Sequence, residues 1–124
     1  MAPEPQPSSL IFQAAVERPL STVFCHANGT WEGHDYRVEA IVERPGLDAF
    51  DVVMDFRDLE AALDAQLAPM AGRLLSELGM KDPSELAQRL FRNLAPHVPG
   101  PAHLTEVTLT DGAGRKVAVR AESA

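Results

Sequence analysis

Glu32 and His34 are the residues whose types and spacing could do chemistry. They stand two apart in the stretch Trp31-Glu32-Gly33-His34-Asp35-Tyr36, and residues two apart on an extended strand project from the same face. A carboxylate and an imidazole placed this way can share one proton, one ligand or one metal ion. Residues 31–43 show the alternation of such a strand. Tyr36, Val38, Ala40 and Val42 continue the row begun by Glu32 and His34, while Asp35, Arg37, Glu39 and Glu43 share the other face with Trp31, Gly33 and Ile41. Polar groups therefore enter a core-facing row, where each needs a partner. The structural alternative is an imidazole satisfied by its neighbours, with Glu32 turned to water where the strand begins.

Other chemistry-bearing residues are scattered. Cys25 and His26 fall within residues 18–30, which contain Pro19 and Asn28-Gly29 and read as a long irregular connection, a frequent seat of functional loops. Asp111 ends a second alternating row of Thr105, Val107 and Leu109, yet it also precedes a glycine, where aspartate commonly closes a hairpin turn. Both roles stay open. His97 and His103 stand beside Pro96, Pro99 and Pro101 and read as solvated. The chain holds no Gly-rich phosphate loop, CxxC pair, HExxH or GxSxG string.

The elements that must position these groups follow from pattern and punctuation. Leu10, Phe12, Ala14 and Val16 alternate with Ile11, Gln13, Ala15 and Glu17 as a first strand. After the strand at 31–43, Arg44-Pro45-Gly46-Leu47-Asp48 is a turn and residues 49–54 a third strand. Asp55 reads as a helix N-cap, because Asp58 lies three positions on and Phe56, Leu59, Leu63, Leu67 and Met70 recur at helical spacing; Pro69 ends or kinks that helix. Asp82-Pro83-Ser84-Glu85 starts a second helix, with Leu86, Ala87, Leu90, Phe91 and Leu94 as its apolar stripe. A hairpin over 104–111 and 115–122, turning at Gly112-Ala113-Gly114, follows.

With 124 residues, 45% hydrophobic and 23% charged, the chain suits a single globular domain, expected over 9–124 behind a proline-rich disordered tail at 1–8. A formal net charge of −7 and no basic run argue against nucleic acid or an anionic membrane surface as partner. Cys25 is the one cysteine, so an intramolecular disulfide is impossible. With no signal-like leader and no apolar run near the ~20 residues of a membrane span, a cytoplasmic setting is expected.

Six strings, in this order, resemble the 6-pyruvoyltetrahydropterin synthase and 6-carboxytetrahydropterin synthase family from Leu10 to Glu122. Phe12-Gln13-Ala14-Ala15-Val16 is similar to its FxAAH strand, Glu32-Gly33-His34-Asp35-Tyr36 to its HGHNY strand, and Val52-Val53-Met54-Asp55-Phe56 to its GxVxDF segment. The string from Pro69 to Leu75 falls at the spacing of PLDHxxL, Asp82-Pro83-Ser84-Glu85 resembles the PTxEN helix start, and Val107-Thr108-Leu109-Thr110-Asp111 resembles the late strand ending in Glu-Thr. The resemblance implies the α+β T-fold. In it, a four-stranded antiparallel sheet carries two helices on one face, trimers close their sheets into an oligomeric barrel, and two trimers make a homohexamer.

The departures from the family pattern carry the functional expectation. The family's three zinc-binding histidines correspond here to Val16, Glu32 and His34; valine offers no donor, and catalytic zinc sites normally use three protein ligands. His34, Glu32, His26 and Cys25 are the remaining metal candidates, and no bound zinc or other cofactor is expected. The family's catalytic Asp-His pair falls on Ala71 and Gly72, which move no proton. Cys25 stands one residue off the commonest position of the family's cysteine, without the groups that activate a thiol. By the same resemblance Asp111 accepts two hydrogen bonds from the amino-pyrimidinone edge of a pterin. Ser84, Glu85 and the backbone around Val53, Met54 and Asp55 then line the same pocket, between subunits. The expectation is a protein that binds a pterin-like heterocycle and has left synthase chemistry. Two alternatives stand beside it: a lyase with a site rebuilt on Glu32 and His34 as acid and base, and a structural or regulatory oligomer with a vestigial pocket.

Overall fold

The computed structural model describes residues 10–25 and 27–122. Two long strands dominate it. β1, Ile11–Cys25, and β2, Trp31–Pro45, form an antiparallel hairpin paired without a break from Ile11 opposite Pro45 to Cys25 opposite Trp31. β3, His103–Thr110, pairs with the other side of β2, and β4, Lys116–Val119, pairs with β3, so the sheet runs β1-β2-β3-β4 and is antiparallel throughout. Alternation decides which face is buried. Val16, Leu20 and Phe24 of β1 join Tyr36, Val38, Ala40 and Val42 of β2 in one apolar cluster with the stripes of two helices, α1, Phe56–Leu67, and α2, Pro83–Leu94. Leu59 and Leu63 of α1 and Leu86, Leu90 and Leu94 of α2 are fully buried there. This is the four-stranded T-fold architecture, with both helices on one face of the sheet.

Local chemistry starts both helices where the sequence placed them. Asp55 accepts a hydrogen bond from the backbone N–H of Arg57 at 2.9 Å, and Asp82 accepts one from Glu85 at 2.9 Å, each satisfying a donor that the first helical turn leaves unpaired. Glu85 Oε2 accepts the Lys81 N–H at 2.7 Å in turn. Pro83 opens α2, where a missing N–H removes no helical bond.

Three expectations are corrected. β1 does not stop at Glu17 but runs on to Cys25, so most of the supposed irregular connection at 18–30 is strand. Pro19 is tolerated for a geometric reason. The Gly72 N–H donates to Ser21 O at 2.7 Å and the Val23 N–H donates to Arg73 O at 3.1 Å, so odd-numbered residues of this half of β1 aim their backbone groups away from β2. The N–H that Pro19 lacks would have pointed off the sheet edge, where proline removes no ladder bond. The chain then reverses through Asn28 and Gly29, the glycine at φ +85°.

Residues 49–54, expected as a strand, form a bend instead. Asp48 Oδ1 accepts the N–H groups of Phe50 at 2.8 Å and Val52 at 3.1 Å, and Asp51 sits at φ +60°, so the aspartate side chain takes up donors that a ladder would need. The third correction lies in β3. Its register against β2 shifts between Ile41, opposite Glu106, and Val42, opposite Leu104, leaving Thr105 as an extra residue. Leu104 rather than Thr105 therefore joins Val107 and Leu109 in the core, and Thr105 Oγ1 is shielded without a partner. Among the described residues no helix is long and apolar enough to cross a membrane.

Candidate functional site

The turn end of the β1–β2 hairpin, the start of α2 and the β3–β4 turn meet around a cavity of about 410 Å³. Register explains which side chains reach it. Thr22 lies opposite His34 and Phe24 opposite Glu32, and all four belong to the inward-facing row. His34 Nε2 and Glu32 Oε1 are 3.2 Å apart, with the histidine side chain 19% exposed and the glutamate 48%, so the pair faces solvent from the rim of the core. The imidazole stacks on Tyr36, ring centroids 5.6 Å apart at 22°, and Phe24 stands edge-on to both, 5.4 Å from His34 and 6.4 Å from Tyr36. Burial pushes the Tyr36 phenol above its usual pKa, and the negative charges of Asp111 and Glu32 push the same way, so the hydroxyl stays protonated and able to donate.

Asp111 lines this cavity with Arg115, and the structure gives it a second employment. Its Oδ1 accepts the N–H groups of Ala113 and Arg115, both at 2.9 Å, and its Oδ2 accepts Arg115 Nε at 3.1 Å. The backbone bond from Arg115, followed by that from Ala113 and the guanidinium charge, holds the carboxyl below its ordinary pKa. Of roughly four lone-pair positions on a carboxylate, three are used in closing the hairpin and one on Oδ2 remains. Asp111 thus closes the hairpin and stands in the cavity wall at once.

The other expected residues do not gather at this cavity within one chain. Ser84 Oγ donates to Asp82 Oδ1 at 2.6 Å, Glu85 faces a separate cleft beside Gln88 and Arg89, and Asp82 and Pro83 rather than Ser84 and Glu85 reach the cavity. Met54 and Asp55 line a different cavity of about 930 Å³ with Arg44, Phe50, Phe56 and His97. Cys25 is exposed and does line the first cavity; His26 lies outside the described residues. Ala71 and Gly72 follow α1 and pack along the outer edge of β1, where the Gly72 N–H bonds Ser21.

A zinc centre of the family type does not fit these residues. Val16 pairs with Ala40, six residues and about 20 Å of extended chain before Thr22, the partner of His34. The expectation that Val16 occupies the third ligand position is therefore wrong. The side chain that faces Glu32 and His34 is Phe24, which sequence reasoning missed because it ended β1 eight residues too early. Among the described residues no three His, Cys, Asp or Glu side chains come together to hold a metal. Lys81 and Arg115, also lining the cavity, were likewise missed.

A family model described as 6-pyruvoyl tetrahydropterin synthase matches residues 18–122. No curated protein matches the chain significantly in sequence. Among solved structures, the 6-pyruvoyl tetrahydropterin synthase of Caenorhabditis elegans superposes with a TM-score of 0.79 at 16% identity, covering 93% of this chain and 99% of that one. The Plasmodium falciparum enzyme of the same name gives 0.70 at 15% identity over 88% and 96% of the two chains. An uncharacterized protein from Wolinella succinogenes gives 0.73 at 13%, over 92% and 100%.

Proposed function

Because the chain belongs to the 6-pyruvoyl tetrahydropterin synthase family, we propose that it binds a pterin-like bicyclic heterocycle in the cavity at Phe24, His34 and Tyr36, without zinc-dependent synthase chemistry. The observation that carries this reading is the grouping of three mutually packed rings with two carboxylates, Glu32 and Asp111, around one cavity. Flat apolar faces suit a planar ring system, and carboxylate oxygens suit its N–H edge. The chemistry that the family resemblance calls for finds no proton-moving side chain at Ala71 and Gly72 and, among the described residues, no third metal ligand beside His34 and Glu32.

The site is completed by assembly in this reading. Phe50 and Phe56, 85% and 53% exposed, flank the second cavity, and a neighbouring chain of a homohexamer built from two trimers covers them. Met54, Asp55, Ser84 and Glu85 of one chain then meet the ring pocket of the next. A second reading is favoured by one observation: the 3.2 Å contact between Glu32 and His34 is an acid–base pair in hydrogen-bond reach, the minimum for a lyase rebuilt on the same scaffold.

The test is a thermal-shift screen of the purified oligomer with pterins and deazapurines, run beside a turnover assay on dihydroneopterin triphosphate. A shift with a pterin and no turnover supports the binder. Turnover abolished by His34→Ala moves the lyase to first place, and no shift with any heterocycle overturns both.

A further inference from the structure

We propose that this chain retains two-thirds of a metal site and that the Phe24 ring alone holds it closed. Two zinc ligands at about 2.0–2.1 Å from a tetrahedral ion lie roughly 3.3 Å from one another. His34 Nε2 and Glu32 Oε1 stand 3.2 Å apart, so two donors already have the mutual spacing of ligands on one ion. Two imidazoles bound to such an ion through ring nitrogens hold their centroids about 5 Å apart. The Phe24 and His34 centroids are separated by 5.4 Å. A six-membered ring without donors thus occupies the place of the third ligand, directly opposite Glu32 in the strand register.

The strand pairing makes the placement robust. Residue 24 faces residue 32 across the ladder and residue 34 along the diagonal, distances within reach of aromatic side chains. Phe24 is itself 6% exposed and packs edge-on against both His34 and Tyr36, so its ring is held where it is and an imidazole at the same position would inherit the same walls. Histidine at position 24 would give two imidazoles and one carboxylate, a donor set that zinc accepts with a fourth position left for water. This inference concerns the donor geometry and holds whether or not a heterocycle binds.

The test compares the natural protein with Phe24→His, each purified and dialysed against zinc, then analysed for metal content by mass spectrometry and for the visible absorption of tetrahedral cobalt(II) after substitution. The expected result is close to one metal per chain in Phe24→His, a cobalt band, and loss of both in Phe24→His/His34→Ala. The natural protein is expected to hold no stoichiometric metal. Phe24→Cys, smaller and also a zinc ligand, carries the same test if the histidine variant does not fold. A folded variant at position 24 that takes up no metal overturns the proposal, as does stoichiometric zinc in the natural protein, which would assign the third ligand elsewhere.

Discussion

Thr22 offers the sharpest quantitative test of the structure around the site. Its side chain is 2% exposed, it lies opposite His34 between the buried Leu20 and Phe24, and its hydroxyl has no hydrogen-bond partner. A hydroxyl buried without a partner costs about 1–3 kcal/mol in protein mutational series. Thr22→Val exchanges that hydroxyl for a methyl of similar size, keeps the β-branch that suits a strand, and adds apolar burial worth up to roughly 0.8 kcal/mol. Both changes act in one direction, so the variant should be more stable by about 1–2 kcal/mol. With a urea m-value of roughly 2 kcal/mol/M for a domain of this size, the midpoint should rise by about 0.5–1 M with m unchanged. Thermal unfolding should move up by about 4 °C. Both are to be measured at one fixed protomer concentration, because assembly shifts apparent stability. A midpoint that stays or falls would refute the reasoning, since it would mean that the hydroxyl is satisfied.

Two titrations follow. The chain has one tyrosine, so phenolate absorbance reports Tyr36 alone; it should appear above pH 10.0, because burial and then the charges of Asp111 and Glu32 raise the pKa. The unfolded chain then ionises first, so stability should decline as pH rises through 10.0, and Tyr36→Phe should abolish that decline. The Asp111 carboxyl is held low by the Arg115 and Ala113 backbone bonds, so its stabilisation is complete above the ordinary 3.8 and is lost as pH falls from there through the lowered folded value. Asp111→Asn should make acid unfolding shallower in that window; an unaltered acid limb would mean that the hairpin bonds seen here do not persist in solution.

What could be read from the sequence was what neighbours along the chain decide. The cap aspartates Asp55 and Asp82 act on N–H groups two or three residues away, and β2 shows its period because one face is almost wholly apolar. The second half of β1 hid because Arg18, Pro19, Ser21 and Thr22 disguise the alternation of Leu20 and Phe24; only pairing with β2 makes it a strand. That one misjudged boundary displaced the third ligand position from Phe24 to Val16. Residues 49–54 failed for the opposite reason, an apolar run overruled by the Asp48 side chain. The pairing of Glu32 with His34 was legible, since it depends on strand alternation; the place of Asp111 beside them within one chain was not, since it depends on how β3 and β4 pair with β2. The division of Met54 and Asp55, Glu85, and Asp111 among three cavities of one chain was not legible either, because it depends on how the two helices are carried across the sheet.

The free edge of β1 also works as a ruler. Ser21 and Val23 are already engaged by Gly72 and Arg73, and Leu74 bridges to Val23, so that end of the edge is closed. Pro19 presents no N–H. An incoming strand can therefore build a continuous ladder only along residues 11–17, whose odd-numbered backbone groups point outward in the same phase as Ser21 and Val23. Proline and the segment after α1 together set how far a visitor can slide, and so fix the offset at which any second sheet joins this one.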